Sequence, residues 1–163
     1  MIEIIDNQDL LTLNCNIFCH QVNCQGVMGS GIAKQIKDTY PIVYTEYIEK
    51  CKETAHKRNL LGKAQFVELS DGKICANLFG QFYYGYDGKI YTDDCALYCA
   101  FMNLMDYCQI LINECEYENV IVGIPYKIGC GLGGGDWTKI YKMICEIFET
   151  DDRVQVKICK INN

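Results

Sequence analysis

The stretch Asn23-Cys24-Gln25-Gly26-Val27-Met28-Gly29-Ser30-Gly31-Ile32-Ala33 follows an apolar run, Ile17–Val22. It opens a segment, Ser30–Thr39, in which Ile32, Ile36 and Tyr40 recur at i, i+4 and i+8. That order predicts a strand, a glycine-rich turn and a helix. The same order returns downstream. Val120–Ile124 is wholly apolar and leads to Gly129-Cys130-Gly131-Leu132-Gly133-Gly134-Gly135. Asp136 then heads a helical stripe of Trp137, Ile140, Tyr141, Ile144 and Phe148. Of the 14 glycines, Gly26, Gly29, Gly31, Gly129, Gly131, Gly133, Gly134 and Gly135 sit in these two loops. A glycine turn at a helix start exposes backbone N–H groups at the positive end of the helix dipole, which suits phosphate. Two such loops suit the two ends of a diphosphate. Tight turns also need glycine, but the run from Gly129 to Gly135 holds more than one turn requires.

Working outward, Ile2–Ile5 reads as a first strand. Pro41 interrupts the first helix, and Ile42–Thr54 resumes with Tyr44, Tyr47, Ile48 and Cys51 on one stripe. Gln65–Leu69 and Ile74–Phe79 flank Asp71-Gly72, a hairpin signal. Phe82–Tyr91 is rich in Gly and Tyr with no period and reads as a loop. Thr92 is placed to cap a helix that runs to about Asn113, with Asp93 and Asp94 in its first turn and Leu97, Phe101, Leu104 and Cys108 inward. Val154, Val156 and Ile158 alternate with polar residues in a last strand. Helices interleave with strands, so the expected class is α/β: one domain over residues 1–163, a mixed central sheet with helices on both faces.

The 163 residues carry 15 Lys+Arg against 21 Asp+Glu, a formal charge of −6. An acidic chain repels phosphate backbones over most of its surface, so nucleic acid is not an expected general partner. The N-terminus lacks the basic and apolar regions of a signal peptide. The strongly apolar run around Val120–Tyr126 is too short to span a bilayer. A cytoplasmic protein with no membrane partner is expected. The 12 cysteines contain no CxxC pair, and His20 and His56 do not complete a finger, so no metal is expected. Reduced thiols fit that compartment. Cys75, Cys99 and Cys145 lie among apolar neighbours and are expected to be buried.

Known phosphate motifs fit poorly. Gly129 to Gly134 matches G-x-G-x-x-G, but the next strand ends in Lys160-Ile161-Asn162-Asn163 where a dinucleotide fold wants an acid. Neither loop carries the Gly-Lys-Ser/Thr of a P-loop. The segment Asn23 to Ala33, with Tyr40-Pro41 after it, instead resembles the first ligand loop of macrodomains. Ile128 to Trp137 resembles their second. The resemblance is to the branch of ADP-ribose 1″-phosphate phosphatases and the terminal and DNA ADP-ribose glycohydrolases. It implies a three-layer α/β/α sandwich holding ADP-ribose, or a derivative, at the strand ends, with no cofactor. By match to the motifs, Asp9, in Asp9-Leu10-Leu11, would meet the adenine amine, and Leu10 lies beside it. Gly26, Val27, Met28, Gly29, Ser30, Gly31 and Ile32 would wrap the distal ribose and part of the diphosphate. Asn23 would lie by that ribose, and Gly129, Cys130, Gly131, Leu132, Gly133, Gly134 and Gly135 would cradle the diphosphate.

Two residues carry candidate chemistry. His20 shares a strand face with Phe18 and Val22 and reads either as a core histidine or as an acid–base group. Asp136 reads as a helix cap and, by its Gly-Gly-Asp-Trp context, as a carboxylate able to activate water. Gln81 stands nearest to the lysine that the glycohydrolases use, and Gly133 replaces an aspartate of the terminal glycohydrolase. A neutral amide cannot form a Schiff base with an opened ribose. The leading expectation is therefore a metal-independent hydrolase of ADP-ribose derivatives such as ADP-ribose 1″-phosphate. The alternatives are a non-catalytic ADP-ribose reader, or a glycohydrolase acting on modified protein or nucleic acid. Nucleic acid is then expected only as an ADP-ribosylated substrate. Phe82–Tyr86 is a candidate aromatic lid. The sequence carries no sign of the oligomeric state.

Overall fold

The computed structural model describes residues 1–162. Six strands form one sheet: β1 (Ile2–Asp6), β2 (Ile17–Asn23), β3 (Ala64–Glu68), β4 (Ile74–Gln81), β5 (Val120–Pro125) and β6 (Val154–Lys160), in the order β1-β6-β5-β2-β4-β3. All neighbours are parallel except β3 and β4, the antiparallel hairpin closed at Asp71-Gly72. Gly72 turns with φ 86°, and Asp71 Oδ1 accepts the Lys73 N–H. The central strands are buried on both faces, which explains why β2, β4 and β5 read as nearly unbroken apolar runs.

One face is covered by α3 (Asp94–Asn113) and α4 (Trp137–Phe148), whose Leu97, Phe101, Leu104, Ile140 and Ile144 meet Ile17 and Cys19 of β2. The other face is covered by α1 (Gly31–Thr39) and α2 (Pro41–Glu53), whose Ile36, Val43 and Tyr47 meet Phe18 and Val22. This is the expected three-layer sandwich. Pro41 starts α2 because the first helical position needs no N–H, while the residue before a proline is held out of helix. Tyr40 accordingly breaks α1 from α2, at φ −127°, ψ 77°.

Helix α3 has the length and mean hydropathy, 1.4, of a bilayer-crossing segment, although the sequence pointed only to the run around β5. Half of that apolar window is buried inside the fold, where it covers the sheet. Cys75 is buried as expected and Cys145 half-buried, whereas Cys99 lies on the outward side of α3 and is exposed. Apolar neighbours in sequence are not neighbours in space on a helix, where positions one and two apart face different ways.

Two departures from regular pairing make the site. Strands β2 and β5 pair only at Ile17–Val122 and Phe18–Gly123, then part towards their C-terminal ends. At the same end the register of β2 against β4 slips between Val22 and Asn23. From β2 the chain moves out to β3 and returns to β4 on one side; from β5 it moves to β6 on the other. Ligands of open α/β sheets bind at such switch points.

Candidate functional site

A cleft of about 460 Å³ opens where β2 and β5 part, lined by both glycine loops. Of the residues assigned to ligand binding, Asn23, Val27, Ser30, Gly31, Ile32, Gly129, Gly131, Leu132 and Gly133 line it. Gly26, Met28, Gly29, Cys130, Gly134 and Gly135 belong to the same loops but do not line it. Met28 is buried, and its side chain belongs to the core beside α1 and α2. Gly26 faces a second hollow beside Cys51 and Lys52. Asp9 and Leu10 also lie off the lining: Asp9 Oδ1 caps a short turn by accepting the Leu11 N–H at 2.8 Å, and Leu10 is buried.

The first loop is shaped by Asn23. Its Oδ1 accepts the Gln25 N–H at 2.9 Å, and its Nδ2 donates to the Val27 carbonyl at 2.8 Å. The fully buried Tyr47 places its hydroxyl 2.7 Å from the Asn23 carbonyl, fixing the loop to α2. Gly26 (φ 81°) and Gly31 (φ 56°) adopt the left-handed conformation that favours glycine. Asn23 thus borders the cleft while its side chain holds the loop.

The second loop is glycine-rich for a packing reason. A methyl group on Gly133 would meet the Thr92 hydroxyl at 2.5 Å and the Gly129 carbonyl at 2.6 Å. One on Gly135 would meet that carbonyl at 2.8 Å. Gly131, by contrast, has open space around it. Gly129 (φ 73°), Gly134 (φ 68°) and Lys127 (φ 57°) turn the backbone back on itself, and the Gly135 N–H donates to the Gly129 carbonyl at 2.9 Å.

The candidate catalytic residues stand elsewhere than their sequence reading implied. His20 is fully buried and does not line the cleft. Its register partner on β4 is Asn77, and it alternates onto the same face as Phe18 and Val22, the side of α1 and α2. Its Nε2 lies 2.6 Å from Asn77 Oδ1. Asn77 Nδ2 donates to Gln65 Oε1, which leaves Oδ1 as the acceptor and makes His20 Nε2 the donor. Nδ1 is then bare and has no partner. Burial holds the imidazole pKa down at about 4, against the opposing pull of the Asn77 hydrogen bond. In this structure His20 is thus a buried, neutral ring set behind the cleft lining, the arrangement of a core histidine. Asp136 is exposed and caps α4: its Oδ1 accepts the N–H groups of Thr138 and Lys139. It does not line the cleft, but it directly follows Gly135, which is bonded to the lining residue Gly129.

Gln21, Val22, Tyr126 and Lys127, which no sequence motif marks, also stand on the lining. Gln21 was detectable as a polar side chain inside an otherwise buried strand. Tyr126 and Lys127 directly follow β5, in a stretch that carries no motif of its own. Tyr126 packs edge-on against Trp137. Lys127 is the only charged side chain on the lining. Tyr84 and Tyr86, from the expected lid, border the cleft, and a side chain at Gly29 would meet the Tyr86 hydroxyl at 3.8 Å. Thr92, expected to cap α3, does not. Asp93 does so, its Oδ1 accepting the Ala96 N–H at 2.9 Å, because the Thr92 amide and hydroxyl are bonded to the second loop.

Comparison with known proteins accords with this geometry. A DNA ADP-ribosyl glycohydrolase of Mycobacterium tuberculosis is 27% identical over 141 residues, 86% of this chain and 37% of that protein. An ADP-ribose 1″-phosphate phosphatase of Saccharomyces cerevisiae is 40% identical over 62 residues, 36% of this chain and 34% of that protein. This chain thus spans little more than a third of the length of either relative. The structure of the macrodomain of Mycobacterium tuberculosis DarG superposes with a TM-score of 0.77 at 27% identity, covering 98% of this chain and 97% of that one. Residues 19–144, from β2 through both glycine loops and into α4, match the Macro domain family, and this chain belongs to that family.

Proposed function

We propose that this protein binds ADP-ribose in the cleft between its glycine loops and hydrolyses ADP-ribose derivatives, ADP-ribose 1″-phosphate foremost. The observation that carries the reading is the meeting of both loops around one cleft with a single charged side chain, Lys127. Main-chain N–H groups and a helix start neutralise a diphosphate without a cluster of lysines, so a chain of charge −6 can hold this anion. The names of the relatives, one an ADP-ribosyl glycohydrolase and one an ADP-ribose 1″-phosphate phosphatase, support the same ligand.

For hydrolysis, Asp136 is the proposed base. One oxygen, Oδ1, serves the helix, and the other is left to orient a water. Gln81, a neutral amide, stands at the position nearest to the glycohydrolases' lysine and cannot supply covalent lysine chemistry there. A second reading, recognition without turnover, is favoured by one observation: no carboxylate, imidazole or thiol stands on the cleft lining. Calorimetry with ADP-ribose and AMP, alongside phosphate release from ADP-ribose 1″-phosphate, separates these readings. Binding of ADP-ribose at least 10-fold tighter than AMP, with phosphate release, supports the hydrolase. Binding without release leaves the reader. Equal affinity for AMP and ADP-ribose removes the two-loop cradle.

A further inference from the structure

A run of hydrogen bonds crosses the floor of the cleft from the tyrosine-rich loop to the second glycine loop. Gln81 Nε2 donates to the Tyr83 carbonyl at 2.8 Å. Gln21 Nε2 donates to Gln81 Oε1 at 2.7 Å and to the Thr92 hydroxyl at 2.8 Å. The Thr92 hydroxyl donates to the Gly129 carbonyl at 2.7 Å. The Tyr91 and Thr92 N–H groups donate to the Gly133 carbonyl at 2.8 and 2.9 Å.

The direction of every bond follows from the ends. Both ends are main-chain carbonyls, which only accept. Gln81 must therefore turn its amide nitrogen to Tyr83 and its oxygen to Gln21, and Thr92 must give its only proton to Gly129. The residue between them has to donate both ways. A primary amide nitrogen does this; a carboxylate cannot. Gln21 Oε1 is left buried without a partner, a cost the protein carries to keep Nε2 in the middle. Glycine at 80 and 129 makes room for this amide, because a methyl group on Gly80 would meet Gln21 Oε1 at 2.4 Å and one on Gly129 would meet it at 2.9 Å. A lysine at 81 would place donor against donor. Gln81 is thus a required acceptor in this run, beyond being a residue without lysine chemistry.

We propose that Gln21 and Thr92 are positioning residues for the second glycine loop, and that through Gln81 they couple it to the tyrosine-rich loop, so that order in one segment imposes order on the other. The ligand part of this inference rests on the ADP-ribose reading; the coupling part does not. Hydrogen–deuterium exchange on the free protein and calorimetry with ADP-ribose test the two parts separately, on Thr92→Val, Thr92→Ser, Gln21→Glu and Gln81→Leu. Thr92→Val keeps the shape and the backbone bonds to Gly133. It should raise exchange at residues 129–135 about 10-fold and weaken ADP-ribose binding about 10-fold, with Thr92→Ser restoring both. Gln81→Leu, made on the far side, should also raise exchange at 129–135, and Gln21→Glu should do so at both segments. Unchanged exchange at 129–135 in Thr92→Val overturns the positioning role. A response of Gln81→Leu confined to residues 82–91 overturns the coupling. If wild type binds no ADP-ribose, the ligand reading fails while the exchange data still decide the coupling. If Gln21→Glu fails to fold, Thr92→Val and Gln81→Leu carry the same decision.

Discussion

His20 sits in a strand between two layers of helices, and its effect on the protein is electrostatic. Its neutral ring is fully buried, with a pKa near 4 against 6.5 for the free side chain. Because the folded-state pKa is depressed, the unfolded chain takes up the proton first as pH falls. The stability linked to His20 is therefore complete above about pH 6.5, declines between 6.5 and 4, and is gone below that. The shift corresponds to about 3 kcal/mol. Urea denaturation at a series of pH values should show this slope, and His20→Gln should flatten it; a matching change in His56→Gln, on an exposed ring, would assign the slope elsewhere. The glycines of the second loop divide in a similar way. Gly131→Leu should leave the melting temperature near wild type and block ADP-ribose, because nothing in the protein occupies that space. Gly133→Ala, a smaller change, should lower stability measurably, because its methyl group meets Thr92 and the Gly129 carbonyl.

At the scale of elements, two aspartates start the two helices of one layer, α3 and α4. Asp93 and Asp136 each accept main-chain N–H groups at the first turn. Loss of such a cap costs about 1 kcal/mol, so Asp93→Ala and Asp136→Ala should lower stability by similar amounts in denaturant titrations. Asparagine caps about as well as aspartate but is not a base. Asp136→Asn should therefore keep stability and ADP-ribose affinity while slowing phosphate release roughly 10²–10⁴-fold, the usual loss for a general base. Undiminished release from Asp136→Asn would move the base to another group, such as the substrate's own phosphate. The segment between β4 and α3 is an element in its own right. Phe82 is stacked under Arg58, and its carbonyl accepts the Cys24 N–H, so its base is tied to the first glycine loop while Tyr83, Tyr84 and Tyr86 stand exposed.

For the molecule as a whole, the fold lets an acidic chain present a cleft free of acidic side chains. Acidic side chains lie on the exterior, and the lining carries one lysine and no carboxylate. The cysteines are distributed by the same layering. All 12 are free thiols; Cys95, Cys99 and Cys115 are exposed, and burial raises the pKa of Cys24 and Cys108 to about 12. Alkylation of the native protein should label Cys95, Cys99 and Cys115 first, with the buried group reacting only on unfolding. Disulfides in the non-reduced protein, read by mass spectrometry, would contradict this arrangement.

The layers, the hairpin at Asp71-Gly72, the break at Pro41 and the two glycine loops were legible in the sequence, because each rests on local chemistry: side-chain period, a fixed proline ring, a left-handed turn. The neighbourhood of those loops in the family was legible for the same reason, since Asn23 to Ala33 and Ile128 to Trp137 are contiguous runs. What lay beyond the sequence was every property set by contact between distant segments. Whether His20 faced the cleft or the core depended on the divergence of β2 from β5 and on Asn77 lying in register across from it. The cap of α3 moved from Thr92 to Asp93 because Gly129 and Gly133, far along the chain, took up Thr92. Nothing in the sequence linked Gln21 to Gln81. A hydrogen-bonded run with both ends accepting exists only once β2, β4 and the second loop are packed together, since its polarity belongs to the assembled set of donors and acceptors and to no one residue.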